Sequence, residues 1–231
     1  TKVNEVIEKA AMFNQGMRKE GTLSCGKHFP GYSNADVDAH EELPVISRTS
    51  QELEAEEIAP FRALLPDLDS VMVCHSHYTA YDADKPRWPA SLSHNIITQL
   101  LRNQLGYDNG LVMTDDLDMG AIINEIGFEH AIKESIKAGN DLAMICHRVE
   151  MVEQAREHIS ELPEQILNDA LRRIDLAKGR MVNPDAFTMD AFNAINDDIW
   201  KLRVETLGQE RAKILSVEDG KRSPVETIGN S

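Results

Sequence analysis

Apolar residues return along this chain in two rhythms. Over residues 1–20, Val3, Val6, Ile7, Ala10, Phe13 and Met17 recur every three or four positions, which places them on one face of a helix that Gly21 can end. Thr22–His28 is then a short strand-like run, and Leu43-Pro44-Val45 is extended. Thr49 and Glu52 form a capping box that starts a helical segment, interrupted at Pro60, with Phe61, Leu64 and Leu65 apolar. A second buried strand, Ser70–His75, is followed by a turn-rich stretch from Tyr81 to Pro89. Ser93 caps a helix carrying Ile96, Ile97, Leu100, Leu101 and Leu105, with Gly106 as its stop.

The third strand is Gly110–Asp115, with Asp116–Met119 continuing its exit, and a helix over 129–138 ends at Gly139. Asp141–Cys146 is the fourth strand, and helices follow over 149–160 and 163–178, the latter with Pro163 in its first turn. Beyond Asn183 the periodicity weakens to one helix over 188–217 and a tail over 218–231. Strands alternating with helices predict an α/β fold with a parallel sheet. The domain expectation is a barrel-type part over 1–182 and a helical extension with its tail over 183–231.

The ends of the strands narrow the architecture. All four runs finish in ionisable groups: Lys27-His28, His75, Asp115-Asp116 and His147. A (β/α)8 barrel gathers its chemistry at the carboxyl ends of its strands. A doubly wound sheet does so as well, but no glycine-rich phosphate fingerprint follows any strand here.

Composition adds exclusions. The 231 residues are 42% apolar and 27% charged, ordinary for a globular core, and the net charge of −15 argues against nucleic acid or an anionic membrane as partner. No apolar span reaches membrane length. Cys25, Cys74 and Cys146 each sit in an apolar run, as buried reduced thiols do, which points to a cytoplasmic location; the chain opens on Thr1, so a leader is left open.

The densest chemistry lies between Cys25 and His40. Lys27 and His28 stand where a strand emerges, and Asp38 and His40 are spaced so that the carboxylate can accept the imidazole N–H, making a candidate acid/base pair; a surface loop with incidental His and Asp is the plain alternative. At Asp115-Asp116 adjacent strand residues point to opposite sides, so only one should face a site, the other capping the following turn or bracing the first. A carboxylate opposite a His/Asp pair is what glycosyl transfer through a covalent intermediate requires. The same groups allow two other readings: a divalent-metal hydrolase built from His28, His40, His75, His77 and Asp115, or a catalytically silent sugar-binding module.

Lys27-His28-Phe29-Pro30-Gly31 with Asp38-Ala39-His40, Pro89-Ala90-Ser91, and Thr114-Asp115-Asp116-Leu117-Asp118-Met119 together resemble glycoside hydrolase family 3, in particular its bacterial β-N-acetylglucosaminidases (β-hexosaminidases), over about residues 22–178. The chain departs from that subgroup's pattern at Tyr32, Ser33 and Ala39. The resemblance implies a (β/α)8 barrel of which this chain covers about the C-terminal four βα units, the missing half coming from an N-terminal extension or a second chain. It implies Asp115 as nucleophile, His40 as acid/base, Asp38 as its partner, Lys27 and His28 as sugar-binding residues, His75 as structural or pocket-lining, and neither metal nor cofactor. Its implied substrates are carbohydrates ending in β-linked N-acetylglucosamine, such as peptidoglycan or chitooligosaccharide fragments, with phosphorolysis as the alternative to hydrolysis.

Overall fold

A computed structural model describes residues 2–32, 43–85, 87–184 and 186–214. The chain forms two compact units, Thr1–Val182 and Asn183–Ser231. In the first, four parallel strands lie in the order β1 (Cys25–Phe29), β3 (Ser70–Val73), β5 (Leu111–Asp116) and β6 (Leu142–Met144). A separate parallel pair joins β2 (Val45–Ile46) to β4 (His77–Tyr78). The order of the larger sheet never reverses along the sequence, which fits a barrel and not a doubly wound sheet with its switch point.

Register decides where the strand ends fall. Ser70 pairs with both Cys25 and Leu111, and Val73 pairs with both Phe29 and Thr114, so β1 and β3 finish level while β5 runs two residues further, to Asp116. One face of the middle strands is fully covered, with Val71, Val73 and Val112 completely buried, while Met72 and Met113 on the opposite face are partly buried. The three valines form one core with Leu53 and Ile58 from the helical segment 50–64 (α2) and with Ile96, Ile97, Leu100 and Leu101 from α3 (Asn95–Gln104). Each such side chain contributes roughly 1.5–3 kcal/mol of apolar burial. A second cluster packs Leu92, Leu117, Ile122, Ala131 and Ile132, using α4 (Gly120–Glu125) and α5 (Phe128–Ala138).

The caps expected from the sequence are present. Glu52 N donates to Thr49 Oγ1 at 3.3 Å while Thr49 N donates to Glu52 Oε2 at 2.8 Å, and Ile96 N donates to Ser93 Oγ at 3.1 Å. Gly139 ends α5 with φ +114°, and a β-carbon there would lie 2.6 Å from Thr98 Oγ1, so only glycine fits. Pro60 does not interrupt α2: the preceding residues Glu54–Ile58 widen to a π-helical turn, which absorbs the missing N–H while the helix runs on.

Other expectations are corrected. Residues after Asp116 turn into α4, an extra short helix whose apolar residues are too few to show a period. His77-Tyr78, between the expected strand and the turn-rich stretch, forms a further short strand. Pro163 caps α7 (Glu164–Lys178) rather than sitting in its first turn, after α6 (Met151–Ser160). Only Cys74 is a buried thiol; Cys25 is exposed on the edge strand β1 and Cys146 is exposed beyond the end of β6. The helix α1 (Val3–Lys19) forms as expected, but Phe13 on its apolar face is 72% exposed.

At the amino ends of β3 and β6 stand two saturated carboxylates. Asp69 accepts from Ser24 N and Arg18 Nη1, both at 2.9 Å, and pairs with Arg180 Nη1 at 3.1 Å. Asp141 accepts from Val112 N at 2.8 Å, from Arg102 Nη2 at 2.9 Å and from Arg173 Nη1 at 3.2 Å.

The second unit is α8 (Met189–Leu207), capped by Thr188 Oγ1 accepting from Ala191 N, and α9 (Gln209–Ala212). Gly208, at φ +79°, splits the single helix expected over 188–217, and Arg203 donates to the Ala212 and Ile214 carbonyls. The expected tail over 218–231 lies outside the described residues. Among the described residues no helix is long and apolar enough to cross a membrane.

Candidate active site

The shared register brings together His28 of β1, His75 just beyond β3, and Asp115 of β5. Asp115, at the end of β5, keeps a partly exposed carboxylate: Oδ1 accepts from Asp116 N at 2.9 Å, and Oδ2 lies 3.7 Å from His28 Nε2. Alternation along β5 turns Asp116 the other way, where it is 7% exposed, so of the two adjacent carboxylates one faces His28 and the other is buried. Burial lowers the pKa of His28, and the neighbouring Asp115 charge only partly opposes it. A neutral imidazole leaves the Asp115 carboxylate with its charge uncompensated, as a nucleophile needs.

His75 lies behind this pair, 1% exposed, and is not itself presented to a ligand. Its Nε2 is 2.9 Å from the Asp116 carbonyl and its Nδ1 is 2.7 Å from Ser91 Oγ. A carbonyl can only accept, so Nε2 carries the proton and Nδ1 accepts from the Ser91 hydroxyl. Burial lowers its pKa too, and the neutral tautomer is the one both bonds require. Pro89-Ala90-Ser91 is thereby explained: Ala90 N and Ser91 N donate to the Ser76 and Cys74 carbonyls, and Asn140 Nδ2 donates to the Ser91 carbonyl, so the segment holds the exit of β3 beside that of β5.

The first motif is structural at one end and chemical at the other. Gly31 sits at φ +134° against the Glu57 side chain, where a β-carbon would collide, and Tyr78 OH donates to its carbonyl. Lys27 is exposed on β1. With His28 it lines a groove of about 680 Å³ beside the edge strand, shared with residues of α1 and α2; Asp115 does not line it. Asp38 and His40 lie outside the described residues. Of the alternative metal set His28, His40, His75, His77 and Asp115, the structure buries His75 and His77 with protein partners, the His77 Nδ1 lying 3.0 Å from the Trp88 carbonyl. The turn-capping role expected for the second carboxylate falls to Asp116, whereas sequence reasoning missed the part of Asp118 and the link to β6, whose signal was only an Asp-x-Asp spacing after a buried strand. Asp116 Oδ1 accepts from Asp118 N and Cys146 N, and Asp118 Oδ2 from His147 N and Arg148 N, which ties the exit of β5 to that of β6.

A parallel sheet with crossover helices, whose strands carry an imidazole–carboxylate pair near their carboxyl ends, defines an α/β domain of barrel type. Residues 2–176 match the family described as glycosyl hydrolase family 3 N terminal domain, and the chain belongs to that family, whose domain is a (β/α)8-type barrel. A β-hexosaminidase of Neisseria meningitidis serogroup C is 35% identical over 153 residues, 66% of this chain and 41% of the relative. The structure of a family 3 β-N-acetylglucosaminidase from Paenibacillus superposes with a TM-score of 0.70 at 30% identity, covering 76% of this chain and 35% of that one. The β-glucoside phosphorylase BglX gives 0.71 at 26% identity, covering 78% and 34%. The chain therefore spans about two fifths of the length of the curated relative.

Proposed function

We propose that the protein is a retaining glycoside hydrolase that removes terminal β-linked N-acetylglucosamine, with Asp115 as nucleophile. The observation that carries this reading is the partly exposed Asp115 carboxylate at the end of β5, 3.7 Å from a half-buried His28, in a chain of this family. In the first step an Asp115 oxygen bonds to the anomeric carbon as the bond to the leaving oxygen breaks, and His40 gives that oxygen its proton. In the second, His40 takes a proton from water, which attacks the same carbon and releases Asp115. Two inversions at one carbon give net retention. Asp38 accepts the other imidazole N–H of His40 and orients it, and Lys27 and His28 bind sugar hydroxyls.

The names of the relatives support the sugar; peptidoglycan or chitooligosaccharide fragments in a reducing, cytoplasmic setting are the substrates of this reading. Strands β1 and β6 form the two edges of the larger sheet, and in this reading further strands, from the same polypeptide or a second chain, pair with them to close the barrel. Phosphorolysis is the second reading, favoured by the likeness to BglX. A histidine acid/base is neutral once its proton has left, so it does not repel an incoming phosphate as a carboxylate would.

Incubation with an aryl β-N-acetylglucosaminide, followed by proton NMR of the first-formed anomer, tests the proposal. β-N-acetylglucosamine is expected in buffer free of phosphate. Formation of a sugar phosphate only when phosphate is added selects phosphorolysis, and the α-anomer, or no turnover by the protein with its barrel-closing strands present, removes the retaining glycosidase.

A further inference from the structure

Beside the nucleophile, the exits of β5 and β6 form a second cluster that glycosyl transfer does not use. Asp116 and Asp118 are 7% and 5% exposed, and His147 is half-exposed at the rim. Each carboxylate has one oxygen fixed by two backbone N–H groups: Asp116 Oδ1 by Asp118 N and Cys146 N at 3.2 and 3.0 Å, Asp118 Oδ2 by His147 N and Arg148 N at 3.0 and 2.8 Å. The other oxygen of Asp116, Oδ2, is buried and accepts no hydrogen bond. Its neighbour is His147 Nε2, 3.3 Å away. Leaving such a group unpaired costs about 1–3 kcal/mol, and more when it is charged.

Ligand atoms of Asp116, Asp118 and His147 all lie within 4.8 Å of one another. Two ligands bonded to one tetrahedral ion at 2.0–2.1 Å stand about 3.4 Å apart, close to the Asp116–His147 separation. Carboxylates with one oxygen anchored and the other free are oriented as metal ligands are oriented by their outer hydrogen bonds. We propose that Asp116, Asp118 and His147 bind a divalent transition ion of the Zn²⁺ or Mn²⁺ type, with water completing its coordination on the exposed side of His147. The imidazole selects against Mg²⁺ and Ca²⁺, which prefer oxygen alone. The ion would cross-link the ends of β5 and β6 directly behind the nucleophile. This site is independent of the glycosidase reading, since its occupancy is measured with no sugar present.

Isothermal titration of chelator-treated protein with ZnCl₂ and with MnCl₂ tests it. The expected result is one ion per chain for at least one of the two metals. His147→Ala, at a half-exposed position, keeps the circular dichroism of the parent and weakens binding at least about tenfold, in line with the effect of disturbing metal ligation. Asp118→Asn weakens it likewise, and Glu161→Gln, in the exposed Glu129–His158–Glu161 cluster, leaves it unchanged. No saturable binding tighter than about 1 mM, as expected if His147 merely pairs with Asp116, overturns the proposal. Equal affinity in the parent and in His147→Ala also overturns it.

Discussion

The two ends of the parallel sheet handle buried charge in opposite ways. At the amino end, Asp69 and Asp141 are each met by two arginines and a backbone N–H. Burial nevertheless pushes the Asp141 carboxyl up and the Arg102 guanidinium down, so the cost of desolvation exceeds the pairing on both sides. Such a pair positions strands more than it stabilises them, and its loss strands a charge. At the carboxyl end, Asp115 has one backbone N–H and a neutral imidazole, and Asp116 keeps a bare oxygen. Unsatisfied acceptors are tolerated where a ligand or reacting atom will meet them, and saturated ones where the sheet must be held in register.

The contrast can be broken at either end. The largest effect is expected for Asp115→Asn, which should lower kcat on an aryl β-N-acetylglucosaminide by on the order of 10⁴–10⁶-fold while leaving urea unfolding within about 0.5 kcal/mol of the parent. A comparable loss of stability would move Asp115 to the structural class. Next, His40→Ala should slow substrates with poor leaving groups by about 10²–10⁴-fold and activated aryl glycosides far less, because only the former need a proton in the transition state. Equal losses on both substrate classes would remove His40 from the acid/base role.

Asp141→Ala should show the opposite profile. It leaves Arg102 buried without its carboxylate, at a cost of about 3–5 kcal/mol in chemical denaturation, with kcat unchanged in the folded fraction. A cost below about 1 kcal/mol would mean that water reaches the arginine. The smallest effect is on pH. His75 and His28 have folded pKa values below the unfolded one, so between those values the unfolded state holds more protons and stability rises with pH. Acidifying from pH 7 toward 5 should therefore destabilise the protein, by at most about 1.4 kcal/mol per group and pH unit. His75→Gln should show a shallower slope in denaturation midpoints across that window. An unchanged slope would contradict a buried neutral His75.

Much of this was readable from the sequence because it rests on local signals. The capping box at Thr49 and Glu52, the stop at Gly139 and the alternation that separates Asp115 from Asp116 need only neighbours within a few residues. What escaped depends on distant partners. Cys25 reads like Cys74 by sequence, but it lies on an edge strand, and strand order is not a local property. The roles of Asp116 and Asp118 come from backbone N–H groups about 30 residues away on the exit of β6, and the tautomer of His75 from Ser91 and the Asp116 carbonyl.

The central claim, that the open carboxylate at the end of β5 is the one that bonds to sugar, is tested most directly by trapping the intermediate. A 5-fluoro β-N-acetylglucosaminyl fluoride slows both steps by disfavouring positive charge at the anomeric carbon, while its fluoride leaving group favours the first, so the glycosyl-enzyme accumulates. Peptide mass spectrometry should then place one N-acetyl-fluoroglucosaminyl group on Asp115. A label on Asp116, or on no residue of the segment from Leu111 to Met119 in an enzyme that turns over the substrate, would contradict the account.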